Sequence, residues 1–171
     1  LKHIIITHYD NDHIGSLYDF KEKYPWIRII ASEIESRFIS GERKPERLIQ
    51  AENMLERLSE EEQKFGEWFI RHLKSLKHVP VDQYVQDGDM LFSNRCKVIS
   101  TPGHTSGHIS LFFPELNSVI TGDAAVNDNH QLVIANPYYC LDRDKAEQSL
   151  RTIKSLQAKH YYCYHGGKLT L

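Results

Sequence analysis

The sequence lacks most of the features that would set it apart from an ordinary packed domain. Its cysteines number three, Cys96, Cys140 and Cys163, with no C-x-x-C spacing. That odd count excludes a closed disulfide framework and a zinc knuckle, and it points to reduced thiols in the cytoplasm. No apolar run approaches membrane-spanning length, and no signal-peptide pattern opens the chain. There is no excess of positive charge. Lys and Arg number 21 against 23 Asp and Glu, and a net charge of −2 argues against a surface built for nucleic acid. Internal repeats, low-complexity tracts and linkers are absent too, so residues 1–171 read as one domain.

What is present is enough for a core: 40% of the residues are apolar and 11% aromatic. One stretch organises the rest. Ile4 to Ile6 form a β-branched run that reads as a buried strand, and His8, Asp10, Asp12 and His13 follow it with the spacing H-x-D-x-D-H. Two histidines and two carboxylates packed this closely repel and are costly to desolvate without a counter-charge. A divalent cation, or two, resolves the conflict; the competing reading is a solvated loop with incidental histidines.

Further along, 14–23 is predicted as a helix burying Leu17 and Phe20, and 27–31 as a second strand, giving a parallel βαβ unit. Ser32 is placed to cap a short helix through Phe38. Residues 46–78 are the most helical part, with Ser59 and Glu62 set for a capping box. The stripe Phe65, Trp68, Phe69, His72, Leu73 and Leu76 is expected to be mostly core, within a helical hairpin that also serves as a lid-like insertion. Glu42 to Lys77 hold eight acidic and eight basic residues, a balanced polar face. Short strands are expected at 97–100, 109–113, 119–120, 132–135 and 161–164, with a helix capped by Asp142 or Asp144 running to Leu156.

Three of these strands run out into His104, Asp123 and His165, each beside a glycine. Each signal is weak by itself; their repetition is the argument. With His8, Asp10, Asp12 and His13 they make seven candidate ligands, too many for one tetrahedral site and suited to two metals. His108 reads as a packing or supporting residue, and Asn127, Asp128, His130, Tyr138 and Tyr139 as either pocket lining or solvated loop.

In order, T-H-Y-D-N-D-H-I-G-S-L, T-P-G-H-T-S-G-H-I-S-L, T-G-D-A and Y-H-G-G resemble the motifs of the metallo-β-lactamase-fold hydrolases, over residues 4–167. The resemblance implies an α/β fold, a four-layer αββα sandwich with metals at one edge. It also implies a ligand set: His8, Asp10 and His104 on one metal, Asp12, His13 and His165 on the other, Asp123 bridging. Zinc is the first expectation for both ions, with manganese or iron as alternatives. The implied chemistry is hydrolysis of an ester-like, lactone, thioester or amide small molecule by a metal-bridged hydroxide, with a metal-bound water or Asp12 supplying the leaving group's proton. A flavodiiron-like redox protein, a phosphodiesterase or nuclease, and a degenerate non-catalytic module are the other readings.

Two departures stand out. Asp10 occupies a position where the family pattern usually has histidine. It adds a hard oxygen donor and a negative charge, expected to make the bridging water less acidic. The strands that usually precede the first motif do not appear, and Leu1 opens almost directly into a strand. The chain is therefore expected to be N-terminally incomplete, with an unpaired sheet edge that drives self-association or takes a partner.

Overall fold

The computed structural model describes residues 1–171. Strand β1 (His3–Ile5) leads through the ligand loop into α1 (Asn11–Ile14) and α2 (Leu17–Lys23). The single helix expected at 14–23 is thus two short ones, separated at Gly15 and Ser16. Leu17 is buried as predicted, but Phe20 is 44% exposed. Strand β2 (Arg28–Ser32) pairs in parallel with β1, Ile30 opposite Ile5. Its β-branched residues Ile29 and Ile30 are buried on opposite faces, which suits the centre of a sheet. The side chain of Ser32 then accepts from the Glu35 N–H and starts α3 (Glu33–Ile39).

Helices α4 (Glu46–Leu55) and α5 (Glu60–Ser75) form the predicted hairpin, and the Ser59–Glu62 capping box is present. The hairpin's own core is Leu48, Ile70 and Leu73. The expected stripe is only partly core: Phe65 and Trp68 are 61% and 52% exposed, and Phe65 lines a cavity rather than packing inside the hairpin. Strands β3 (Gln83–Val85), β4 (Met90–Leu91), β5 (Cys96–Ser100), β6 (Ile109–Phe113) and β7 (Ser118–Gly122) follow. A small hairpin, β8 (Val126–Asp128) and β9 (Gln131–Val133), precedes α6 (Arg143–Ser155), capped by Asp142. Strands β10 (His160–Cys163) and β11 (Gly167–Thr170) end the chain.

The strands form two main sheets, β1-β2-β3 and β11-β10-β7-β6-β5-β4. Three core clusters define the layers. Leu17, Phe38 and Ile39 of α2 and α3 pack on Ile29 outside the first sheet. Ile30 and Val85 meet Val98, Ile109 and Leu111 between the sheets. Ile153 of α6 packs on Val119 and Tyr161 outside the second sheet. This is the αββα sandwich. Strand β1 is an edge, which leaves it half-buried where a fully buried strand was expected. Opposite it, Ile120 and Tyr162 of the second sheet are 38% and 43% exposed. No helix is long and apolar enough to cross a membrane.

Candidate metal centre

The loops after β1, β5, β7 and β10 converge at one end of the sandwich and bring all seven predicted residues together. They fall into two groups: His8, Asp10 and His104, and Asp12, His13, Asp123 and His165. Asp10 Oδ2 lies 3.0 Å from His104 Nε2 and 3.8 Å from His8 Nε2. Asp123 sits between the groups. Its Oδ2 is 3.5 Å from His104 and 3.4 Å from His165, and its Oδ1 is 3.5 Å from His13. Asp12 Oδ2 approaches His13 at 3.7 Å and His165 at 3.5 Å.

Backbone and neighbouring side chains hold these groups in place. Thr7 Oγ1 lies 3.1 Å from His8 Nδ1, which turns Nε2 toward the centre. His108 is not in either group. Its Nε2 accepts from the Asp123 N–H at 2.9 Å and its Nδ1 lies 2.9 Å from Thr101 Oγ1, so it fixes the Asp123 backbone, as its supporting role predicted. Gly122 is required for that approach: its φ is 53°, and a Cβ there would sit 2.6 Å from His108 Nε2. Glu35, fully buried, accepts from the Tyr9 N–H, the Gly107 N–H and the Thr105 hydroxyl, and so ties the first ligand loop to the second.

Arg47, on α4, was not foreseen from its sequence pattern. It is 3% exposed and forks onto Asp10, Nη2 donating to Oδ2 at 2.8 Å and Nε to Oδ1 at 3.3 Å. Its Nη1 donates to Gln50 Oε1 at 2.7 Å. In the sequence it is one more charge among the sixteen of a balanced helical hairpin, and nothing in its spacing separates it from them. It corrects the charge argument for Asp10, whose negative charge is locally offset.

The electrostatics follow. Burial pushes the Asp10 carboxyl up, but the His104 hydrogen bond and Arg47 outweigh it and bring it from 3.8 to about 2. Burial disfavours the His104 imidazolium, yet the Asp10 hydrogen bond, Cys140 and the carboxylates raise it to about 9. Burial and the neighbouring imidazoles hold His8 well below its ordinary value. Burial raises Asp123, but His13, His104 and His165 more than offset that and keep it below the usual carboxylate range.

The donor set fits metal ions. His8 Nε2, His13 Nε2 and Asp123 Oδ1 are buried and have no hydrogen-bond partner, although buried polar atoms rarely go unpaired. All three face the centre of the ligand groups, where a cation would satisfy them.

The centre opens on a cavity of about 590 Å³. Its far wall is apolar, made by Ala51, Met54, Leu58, Phe65 and Phe69 of the α4–α5 hairpin with Val126 and Ala135 across. Tyr138 and Tyr139 line it, whereas Asn127, Asp128 and His130 do not. Arg47 is the cavity's one Lys or Arg. His72 is no ligand; it stacks on Trp68 and its Nε2 lies 3.4 Å from Asn11 Nδ2.

The metallo-beta-lactamase superfamily profile matches residues 1–165. A probable metallo-hydrolase of Bacillus subtilis, YflN, is 26% identical over 99% of this chain and 66% of its own length. A hydroxyacylglutathione hydrolase of Brucella anthropi is 47% identical over 25% of this chain and 17% of its own. A metallo-beta-lactamase family protein from Thermus thermophilus superposes with a TM-score of 0.72 at 24% identity, over 99% of this chain and 56% of that one. The chain therefore spans about two thirds or less of the length of these relatives. With the four motifs, the sandwich and the converging ligands, the profile match establishes that the chain belongs to the metallo-beta-lactamase superfamily.

Proposed function

We propose that the protein is a binuclear metal-dependent hydrolase of neutral small molecules, namely esters, lactones, thioesters or amides with an apolar acyl part. The observation that carries the reading is Asp123, one buried carboxylate set between two donor groups at the floor of a deep cavity. His8, Asp10 and His104 would hold one ion and Asp12, His13 and His165 the other, with Asp123 shared. Bound there, divalent cations acidify water and polarise a carbonyl oxygen. Zinc suits the imidazole-rich set, and the Asp10 oxygen leaves room for manganese or iron.

The protein's own groups do the rest. Asp12, with its side chain 39% exposed, faces the cavity, where its carboxylate would take the proton given up by the attacking water and pass it to the leaving atom. Tyr164 steadies the Asp12 segment by donating its hydroxyl to the Asp12 carbonyl at 2.9 Å. The apolar wall excludes water from the acyl side. Because Arg47 is already committed to Asp10 and Gln50, the cavity offers no free Lys or Arg for an anionic substrate. That favours a neutral ester or lactone over a charged glutathione thioester or a nucleic acid. The three free, buried cysteines suit the cytoplasm.

The test is a hydrolysis panel on the zinc- and manganese-loaded protein: aliphatic esters and lactones of increasing chain length, lactoylglutathione and a phosphodiester. The ester and lactone substrates are expected to turn over fastest, with kcat/KM rising with chain length. Fastest turnover of the phosphodiester or the glutathione thioester would overturn the substrate class.

A further inference from the structure

We infer that Arg47 is a positioning residue for the buried half of the metal centre. Its guanidinium converts Asp10 into an electrically balanced donor, so the Asp10–Arg47 pair does together what a neutral imidazole would do alone. The inference rests on the metal-centre reading above and goes beyond it, because Arg47 belongs to the cavity-forming hairpin rather than to any ligand loop.

Three observations support it. The first is geometry: the guanidinium engages both oxygens of one carboxylate, at 2.8 and 3.3 Å, the fork that arginine presents and lysine does not. The second is burial, since Asp10 is 8% and Arg47 3% exposed. Neither charge can be screened by solvent, and loss of either strands the other. The third is position. The oxygen that takes the shorter Arg47 bond, Oδ2, also lies 3.0 Å from His104 Nε2 and 3.8 Å from His8 Nε2. Arg47 therefore orients the very atom that faces the other donors of its group. The arginine is itself held, by Gln50 through Nη1, by the Tyr139 ring 6.0 Å away, and by its backbone N–H donating to the Tyr9 hydroxyl at 2.9 Å.

As metal donors the other members of this group, His8 and His104, would be neutral imidazoles and need no counter-ion. If Asp10 and Arg47 act as one unit, replacing both should cost less than replacing either. Asp10→His alone places a neutral ring against a stranded guanidinium beside two cations. Arg47→Met alone leaves the carboxylate without its orienting fork. Asp10→His with Arg47→Met removes both charges together.

The experiment measures zinc stoichiometry and affinity, by elemental analysis and chelator competition, for the wild type, both single variants, the double variant and Arg47→Lys. The wild type should bind two equivalents. Each single variant should weaken the tighter equivalent by about 10–100-fold, the range for losing a partner of a metal ligand. The double variant should recover most of that loss. Arg47→Lys, which keeps the charge without the fork, should fall between the wild type and Arg47→Met. Losses in the double variant equal to the product of the single losses would overturn the inference, as would equal affinities for Arg47→Lys and Arg47→Met. The second comparison decides alone if Asp10→His does not fold. A wild type that binds no zinc at all would instead sink the metal-centre reading itself, a result distinct from additive losses in a protein that does bind it.

Discussion

The two halves of the candidate centre come largely from one loop yet meet water very differently. In the inner group the side chains of His8, Asp10 and His104 are 0%, 10% and 5% exposed. In the outer group Asp12 and His165 are 39% and 55% exposed, while His13 and the shared Asp123 are only 9% and 4% exposed. The inner group is braced from outside, by Thr7 on His8 and Arg47 on Asp10, whereas the more exposed His165 lines the cavity beside the Tyr164 ring, with its backbone carbonyl accepting from the Asn127 N–H. The contrast separates two tasks. A buried, braced set favours tight and selective holding of an ion, and an open set favours exchange of water and substrate.

The strongest way to break this contrast is to remove the residue common to both halves. Asp123→Asn should cost both metal equivalents and abolish hydrolysis, as read by elemental analysis and turnover. Retention of two ions would show that Asp123 is not shared. Next comes unequal loss within the two halves. His104→Ala should remove the tighter equivalent and cut turnover by at least about 100-fold, or about 2.7 kcal/mol in barrier. His165→Ala should weaken only the second equivalent, by roughly tenfold, or about 1.4 kcal/mol.

A smaller effect sharpens the comparison through pH. In the metal-free protein His104 titrates at about 9, above its ordinary 6.5. Its ion pair with Asp10 therefore stabilises the fold fully below about pH 6.5, and this contribution fades as pH rises through 9. Metal must displace that proton, so inner-site affinity should climb with pH up to about 9. Calorimetry in buffers of different ionisation enthalpy should show a proton released near pH 7. Asp10 has the opposite sign. Its pKa falls from 3.8 to about 2, so it stabilises above about pH 4 and the benefit is lost as pH falls through 2. The difference is worth about 2 kcal/mol. Thermal melts of Asp10→Asn should lack that acid-side slope.

The smallest expected effect lies away from the centre. The edge of β1 is unpaired, and Ile120 and Tyr162 opposite it are partly bare, which should favour weak self-association. Light scattering over a concentration series checks this, and a strictly monomeric protein would remove the expectation.

The candidate ligands were legible in the sequence for a physical reason. His8 to His13 follow the apolar run Ile4–Ile6, and His104, Asp123 and His165 each follow a short strand and lie beside a glycine, which in an α/β sheet places them at strand ends. The capping residues Ser32, Ser59 and Asp142 were legible too, because a cap is a local bond. Arg47 and Glu35 were not. Their partners Asp10 and Thr105 lie 37 and 70 residues away, and a charge on an amphipathic helix reads as solvated until the tertiary structure buries it. Phe65 misled in the opposite direction. Its helical spacing matched a core stripe, but the hairpin turns it toward the cavity. Strand β11 went unseen because Gly167–Thr170 carries one apolar residue, and only its pairing with β10 makes it a strand.

The most direct test of the central claim is a calorimetric zinc titration of the metal-free wild-type protein, with elemental analysis of the end point. The account predicts two equivalents per chain in two resolved steps, with the tighter step the one abolished by His104→Ala and left intact by His165→Ala. A single equivalent, or two equivalents that both variants weaken alike, would contradict it.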